Sequence, residues 1–201
     1  MKSKIRKITP FIVLSLVVLL ILSVAFQLNL PAPTGAYQVG ETVLRWIDSA
    51  RPEVMTDNLN DHREVIALVW YPAESGSGTR SPYFPELSKV SKSLIKSGEV
   101  AAWQVFGHPF IRSHNVWNAV PAKNERPYPV VIFSPGNGTN IEFYTVVASE
   151  LASHGYTVVG LNHPYDVAAV ELSNHQIATD YKEQDSLEPR HMRLLLQSES
   201  K

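Results

Sequence analysis

Apolar and polar positions change their rhythm several times along this chain, and each change predicts an element. From Phe11 to Leu30 the sequence is almost wholly apolar and uncharged. Such a run is long enough to cross a bilayer core as a helix of about 20 residues. Pro31-Ala32-Pro33-Thr34-Gly35 then denies both helix and strand and reads as a linker. Thr42–Ile47 predicts a strand from its β-branched and aromatic content, closed by the turn Asp48–Pro52. Val65–Tyr71 is apolar on both faces, as in a strand covered from both sides, and Pro72 stops it. Glu74–Arg80 is a Ser/Gly-rich loop. Leu87, Val90, Leu94 and Ile95 recur at helical spacing, which predicts a helix over Pro85–Lys96 ending at Gly98. Glu99–Ile111 reads as a second helix and Arg112–Pro127 as irregular chain.

The clearest succession begins at Val130. Val130–Phe133 is a short apolar strand, and Pro135-Gly136-Asn137-Gly138 turns the chain. Thr139-x-x-Glu142 fits a capping box, with Phe143, Val146, Val147 and Leu151 on one helical face behind it. Gly155 stands where a left-handed cap ends a helix, and Thr157–Leu161 is the next buried strand, ended by Asn162–Asp166. Strand, helix and strand in this order make a parallel βαβ unit with a right-handed crossover. From Ala178 the chain is polar, and only Met192–Leu196 suggests the start of another helix.

Basic residues Lys2, Lys4, Arg6 and Lys7 precede the N-terminal apolar run and predict that the chain beyond it lies outside the cytoplasm. Two readings of the run stand side by side. One is an uncleaved signal anchor. The other is a signal peptide with Phe11–Leu22 as its core and Ser23-Val24-Ala25 as the cleavage site. The expected division is residues 1–30 as anchor or signal and 31–201 as one domain. The domain is therefore expected to be membrane-anchored outside the cytoplasm, or secreted or periplasmic if the segment is cleaved. A formal net charge of −1 gives no electrostatic reason for a nucleic-acid partner. The absence of Cys removes disulfides, thiolate metal sites and Cys nucleophiles together.

Candidate chemistry gathers in Pro129–Thr139. A strand, a glycine loop and a helix N-terminus in succession leave unpaired backbone N–H groups around one point, which suits a developing negative charge. No Gly-x-Ser-x-Gly occurs between this loop and Lys201. Ser134 lies at a strand end but in Ser-Pro-Gly, without the elbow that exposes a nucleophilic hydroxyl, and is not read as one. His154 suits the C-terminus of the predicted helix. His163 follows a strand on the side of the sheet where ligands bind in such folds, and reads either as a pocket residue or as a packed histidine. His108 and His114 have no metal-ligand spacing. Trp103, Phe106, Phe110 and Trp117 read equally as core or as a lipid-facing lid.

Pro129–Gly138, Leu151-Ala-Ser-His-Gly-Tyr156 and Val158-Val-Gly-Leu-Asn-His-Pro164 together resemble the platelet-activating-factor acetylhydrolase family of α/β-hydrolases. Asp48-Ser-Ala-Arg51, Val69-Trp-Tyr-Pro-Ala73 and the approach from His114 to Asn118-Ala119 are similar too. Dienelactone-hydrolase-like and lipase-like esterases are near competitors. The resemblance implies the N-terminal portion of an α/β-hydrolase: a mixed sheet with a βαβ unit, incomplete at the C-terminus, after one hydrophobic helix. It implies an ester hydrolase of the Ser-His-Asp type acting on short-acyl phospholipids or related esters, with no metal or organic cofactor. By position, one oxyanion N–H is that of Asn137, with Gly136 and Gly138 allowing the close approach of substrate. Pro135 stands where the family usually has His, and it carries no N–H. The nucleophile, acid and catalytic His of the family would all lie beyond Lys201. The expectation is a chain inactive by itself and of marginal stability, which a separate chain carrying the C-terminal half could complete. The alternative is a non-catalytic, membrane-anchored lipid-binding or scaffold remnant.

Overall fold

The computed structural model describes residues 14–19, 30–56, 58, 60–76, 78–98, 100–107 and 111–180. The expected membrane-directed segment falls largely outside these; 14–19 are helical, and among the described residues no helix is long and apolar enough to cross a membrane. The helix start suggested at Met192–Leu196 also lies outside them, as do His108 and Phe110 and the side chains of Trp103 and Phe106.

Six strands form one sheet. They are β1 (Gln38–Pro52), β2 (His62–Ala73), β3 (Arg80–Pro82), β4 (Arg112–Trp117), β5 (Val130–Phe133) and β6 (Thr157–Asn162), in the order β3-β4-β1-β2-β6-β5. β1 and β2 form a long antiparallel pair, with Val43 opposite Leu68. β2 also pairs antiparallel with β6, and β6 pairs parallel with β5. Helix α1 spans Leu87–Ser97 and α2 spans Ala102–Gly107; a 3-10 turn at Ile141–Tyr144 leads into α3, Thr145–Ser153. Strands β7 (Ala169–Glu171) and β8 (Ile177–Thr179) form a separate hairpin.

One face of the sheet carries the main core. Val39, Leu68, Trp70 and Val158 pack there under Ile141 and under Ala148 and Ala152 of α3, with Val131 and Phe133 of β5 at the margin. Gly160 is required at this face, because a Cβ there would sit 2.3 Å from Ile141 Cγ1. A second cluster joins Leu87, Val90 and Leu94 of α1 to Phe84 and Ala169, and Phe84 meets Phe143 edge-on at 5.9 Å. The Arg45–Glu86 ion pair and the 2.5 Å Lys89–Glu171 bond tie α1 to β1 and β7.

Several expectations require correction. Asp48–Pro52 is not a closing turn but the irregular end of β1, and Pro72 does not stop β2, which runs on to Ala73. Arg112–Trp117 is not irregular; it is β4, parallel to β1, and its Asn115 is buried by a polar contact that hydrophobic periodicity does not register. The helix read over Glu99–Ile111 is confined among the described residues to Ala102–Gly107. The capping box does not form: the first turn starts at Ile141, and Glu142 points inward to Asn162 rather than back to the chain. Ala178 does not open a polar tail, because it lies buried in β8 against Tyr165 and Val167. Trp117 packs at the edge of the main core, which removes it from the lid reading. Gly155 (φ +94°) and Gly98 (φ +83°) take the left-handed conformation their positions demand.

Candidate functional site

The site is assembled at the carboxyl ends of the two parallel strands. β5 releases the chain at Ser134 and β6 releases it at His163. Because side chains alternate along a strand, Ser134 shares a face with Val130 and Ile132, and His163 shares that face with Val159 and Leu161. The two meet: Ser134 Oγ lies 2.9 Å from His163 Nε2. Both parts of this contact were legible in the sequence, since each residue directly follows a strand of the predicted βαβ unit. Reading Ser134 only against the elbow motif missed it.

The glycine loop between Ser134 and the first helical turn is fixed by the segment beyond β6. Gly138 takes φ +85° and its N–H donates to the Asp166 carbonyl at 3.0 Å, while the Ala168 N–H donates to the Gly138 carbonyl at 2.9 Å. Asn140 Nδ2 donates to the Ala169 carbonyl at 2.7 Å. The turn that supplies these partners carries its own unusual backbone, with Tyr165 at φ +68°. Within the loop the Thr139 N–H is also occupied, by the Gly136 carbonyl at 3.0 Å. Among the described residues the Asn137 N–H has no acceptor, and Pro135 has no N–H to offer. The loop thus leaves a free donor at Asn137, which is exposed.

Beside His163 lies an open cavity of about 700 Å³. Val54, Met55, Val65, Leu161 and Tyr165 give it apolar walls. Its rim carries Arg51 and Arg63 together with Glu53, Glu64 and Asp166, so neither sign of charge dominates. Gly136, Asn137 and Gly138 do not line it; of the site residues expected from sequence, His163 alone does.

The Ser134–His163 contact resembles part of a nucleophilic pair, but such a pair needs a third group to hold the imidazole. Among the described residues no carboxylate bonds His163. Ser134 is exposed and is not presented on a strained elbow. Among the described residues no group of three or more His, Asp or Glu side chains is disposed to hold a metal. His114 instead contacts the Leu30 carbonyl at 3.0 Å, and His154 contacts Glu150 one helical turn back at 3.0 Å.

Directly beneath α3 sits a buried polar group that sequence reasoning did not isolate. Asn115 Nδ2 donates to Glu41 Oε2 at 2.6 Å and lies 2.9 Å from Ser149 Oγ on α3. Glu41 is fully buried, and burial pushes its carboxyl up to about 7, against the hydrogen bond from Asn115. Nearby, burial raises Glu142 to about 7 as well, although Asn162 Nδ2 donates to both of its oxygens at 3.1 Å. Both carboxyls brace the helix that begins behind the glycine loop.

A mixed sheet with a glycine loop after one parallel strand, a helix behind that loop and a cavity at the strand ends defines an α/β-hydrolase-type esterase fold. A solved ferulic acid esterase from Streptomyces cinnamoneus has this fold; it is 28% identical, with a TM-score of 0.59 over 79% of this chain and 43% of its own. Residues 22–198 match the family described as platelet-activating factor acetylhydrolase, isoform II, and the chain belongs to that family. A probable 1-alkyl-2-acetylglycerophosphocholine esterase of Arthroderma benhamiae is 26% identical over 170 residues, covering 78% of this chain and 42% of the relative. The platelet-activating factor acetylhydrolase of Cavia porcellus is 42% identical over 144 residues, covering 70% of this chain and 30% of the relative. The chain therefore spans less than half the length of these relatives.

Proposed function

We propose that this chain supplies the oxyanion-binding half of a carboxylic-ester hydrolase acting on phospholipid-like esters with short acyl groups. The observation that carries the proposal is the glycine loop after β5. Its Gly138 and Thr139 N–H groups are occupied, while Asn137, in the loop after the parallel strand β5, keeps a free N–H; Ser134 of the same segment bonds His163, which borders an apolar cavity. A preorganised backbone donor aimed at developing charge typically supplies about 10²–10³ in kcat. In this reading Asn137 donates to the carbonyl oxygen as it becomes an oxyanion, and Gly136 and Gly138 leave room for the acyl group. His163 borders the pocket. The relatives' names support an acetyl or similarly short acyl group. The N-terminal apolar run would hold the domain at a membrane, outside the cytoplasm.

The nucleophile is assigned to no residue of this chain. The 201-residue chain, treated with a serine-reactive fluorophosphonate, is expected to remain unlabelled. Specific labelling of one serine, Ser134 above all, would overturn the assignment. The donor role is tested in a chimera in which residues 31–180 replace the matching part of the Streptomyces cinnamoneus esterase. Turnover of p-nitrophenyl acetate should survive Asn137→Ala, which keeps the N–H, and fall about 10²-fold or more in Asn137→Pro, which removes it. Equal activity of the two variants would sink the role of Asn137.

A further inference from the structure

Beneath α3 a row of polar side chains crosses the sheet next to its apolar core. Strand register sets the row. Glu41 of β1 lies opposite Trp70 of β2, and opposed side chains of paired strands share a face. Glu41 is also level with Trp117 of β4, so Asn115, two residues back, points to that same face. Ser81 of β3 runs beside Ser113 of β4, whose Oγ donates to the Ser81 carbonyl at 3.3 Å. Four neighbouring strands thus contribute one side chain each, in the order Ser81, Asn115, Glu41 and Trp70. All four residues are fully buried.

Each of the four keeps one polar atom unbonded. Asn115 Nδ2 commits both of its protons, to Glu41 Oε2 at 2.6 Å and to Ser149 Oγ at 2.9 Å, which leaves Asn115 Oδ1 without a donor. Glu41 Oε1, Trp70 Nε1 and Ser81 Oγ are unbonded as well. Burial raises the Glu41 carboxyl, Asn115 opposes this most, and Trp70 and Ser81 oppose it too, because both face the carboxyl. An unbonded buried polar atom is costly, and atoms of this kind that face one another are commonly served by one shared partner. Their chemistry says which partner. Trp70 Nε1 can only donate, the Glu41 and Asn115 oxygens accept, and the Ser81 hydroxyl rotates to suit. With Glu41 ionised and Ser81 donating, the site offers two donors and two acceptors. A metal cation or an ammonium ion would meet the Trp70 N–H head on. Chloride would face two oxygens. Water accepts twice and donates twice, and so serves all four. The same count holds when Glu41 carries its proton on Oε1, because Ser81 then turns to accept.

We propose that Ser81, Asn115, Glu41 and Trp70 form a binding site for one internal water molecule. Trp70 Nε1 and Ser81 Oγ donate to it, and it donates to Glu41 Oε1 and Asn115 Oδ1. The water joins β3, β4, β1 and β2 side to side at a weak seam, where β4 meets β1 only through Gly40–Val116 and Glu41–Trp117. Asn115 and Ser149 extend the same link to α3. None of the four residues lines the cavity beside His163, and the site is independent of the ester-hydrolase reading.

The test uses the full chain in dodecyl maltoside micelles with ¹⁵N in its indole rings, the Trp70 signal being assigned by its loss in Trp70→Phe. Spectra are taken at about pH 8.5, where Glu41 and the neighbouring Glu142, both raised to about 7, have lost their protons. The Trp70 Nε1 proton should show a cross-peak to water with NOE and ROE of opposite sign, the mark of a water that stays bound while the protein tumbles. Ser81→Ala removes the hydroxyl proton that would relay exchange with solvent but leaves the water three partners, so the cross-peak should persist. Ser81→Val puts a second methyl in the place of the hydroxyl and should abolish it, with one fewer long-lived water in the ¹⁷O relaxation dispersion of the solvent. Absence of the cross-peak from the wild-type chain would overturn the proposal. So would its loss in a folded Ser81→Ala, which would assign it to the serine hydroxyl, or its survival in a folded Ser81→Val. The wild-type and Ser81→Ala spectra decide the matter by themselves if Ser81→Val does not fold.

Discussion

Glu41→Gln should make the fold more stable at alkaline pH while doing little in acid. The carboxyl is fully buried under α3, where burial raises it from an ordinary 4.5 to about 7. A carboxyl raised by folding contributes stability in its protonated form. That contribution is complete below the unfolded value near 4.5 and is lost as pH climbs through about 7. At about 1.4 kcal/mol per pKa unit, the gap amounts to about 3 kcal/mol between pH 4.5 and pH 8. Gln removes the ionisation but keeps an amide oxygen to accept from Asn115 Nδ2. Urea unfolding of the wild-type chain should therefore show stability falling between pH 5 and pH 8. Glu41→Gln should match it within about 1 kcal/mol at pH 5 and exceed it by about 2–3 kcal/mol at pH 8. A residual pH dependence should persist from Glu142, which burial also raises to about 7. Equal wild-type stability at the two pH values, or an equal loss in Glu41→Gln at both, would refute the reasoning.

Other expectations rest on single contacts. Gly160→Ala forces a methyl to 2.3 Å from Ile141 Cγ1 and 2.8 Å from the Trp70 ring, and should cost about 1–3 kcal/mol in the same unfolding assay. Gly138→Ala meets no neighbour but must hold φ +85°, so its cost should be limited to about 1–2 kcal/mol of backbone strain, with amide exchange at residues 136–139 accelerated more than in α3. Asn115→Ala withdraws the donor that faces Glu41 Oε2 at 2.6 Å; it should destabilise by about 1–3 kcal/mol and push the Glu41 transition, read by carboxyl infrared titration, to higher pH.

How far the fold was legible depends on where its determinants sit along the chain. β5, α3, β6 and Gly155 were readable because a βαβ unit is local: each element carries its own periodicity and its own terminator within about thirty residues. β4 was not. Its Arg112, Ser113, His114 and Asn115 look like loop, and they are held in a strand by partners far away in sequence. Asn115 contacts Glu41 across 74 positions and Ser149 across 34. The β7–β8 hairpin escaped for a similar reason, since Ala169 and Ala178 are too small to mark a core and become buried only when α1 and Tyr165 close over them. The capping box failed because Glu142 had a stronger use. Asn162 comes into reach only once β6 has formed, and it turns that carboxyl inward.

That last competition bears on the site as well. A Glu142 folded back on Thr139 would have tied the helix start to the glycine loop by local bonds. Instead the loop takes its shape from outside: the Gly138 N–H and carbonyl engage Asp166 and Ala168, and Asn140 reaches Ala169, all beyond β6. The Ser134–His163 contact adds a bridge between the two strand ends. The geometry that leaves the Asn137 N–H free is therefore set by residues 134–169 alone, with α3 held from below by Glu142 and Asn162. Preorganisation of this kind requires the donor to be in place before charge develops. If the loop is built this way, Asn140→Ala, which withdraws the bond to the Ala169 carbonyl, should speed amide exchange in residues 136–139 and leave β1 hardly changed. Unchanged exchange in residues 136–139 would mean that contacts from beyond β6 do not shape the loop.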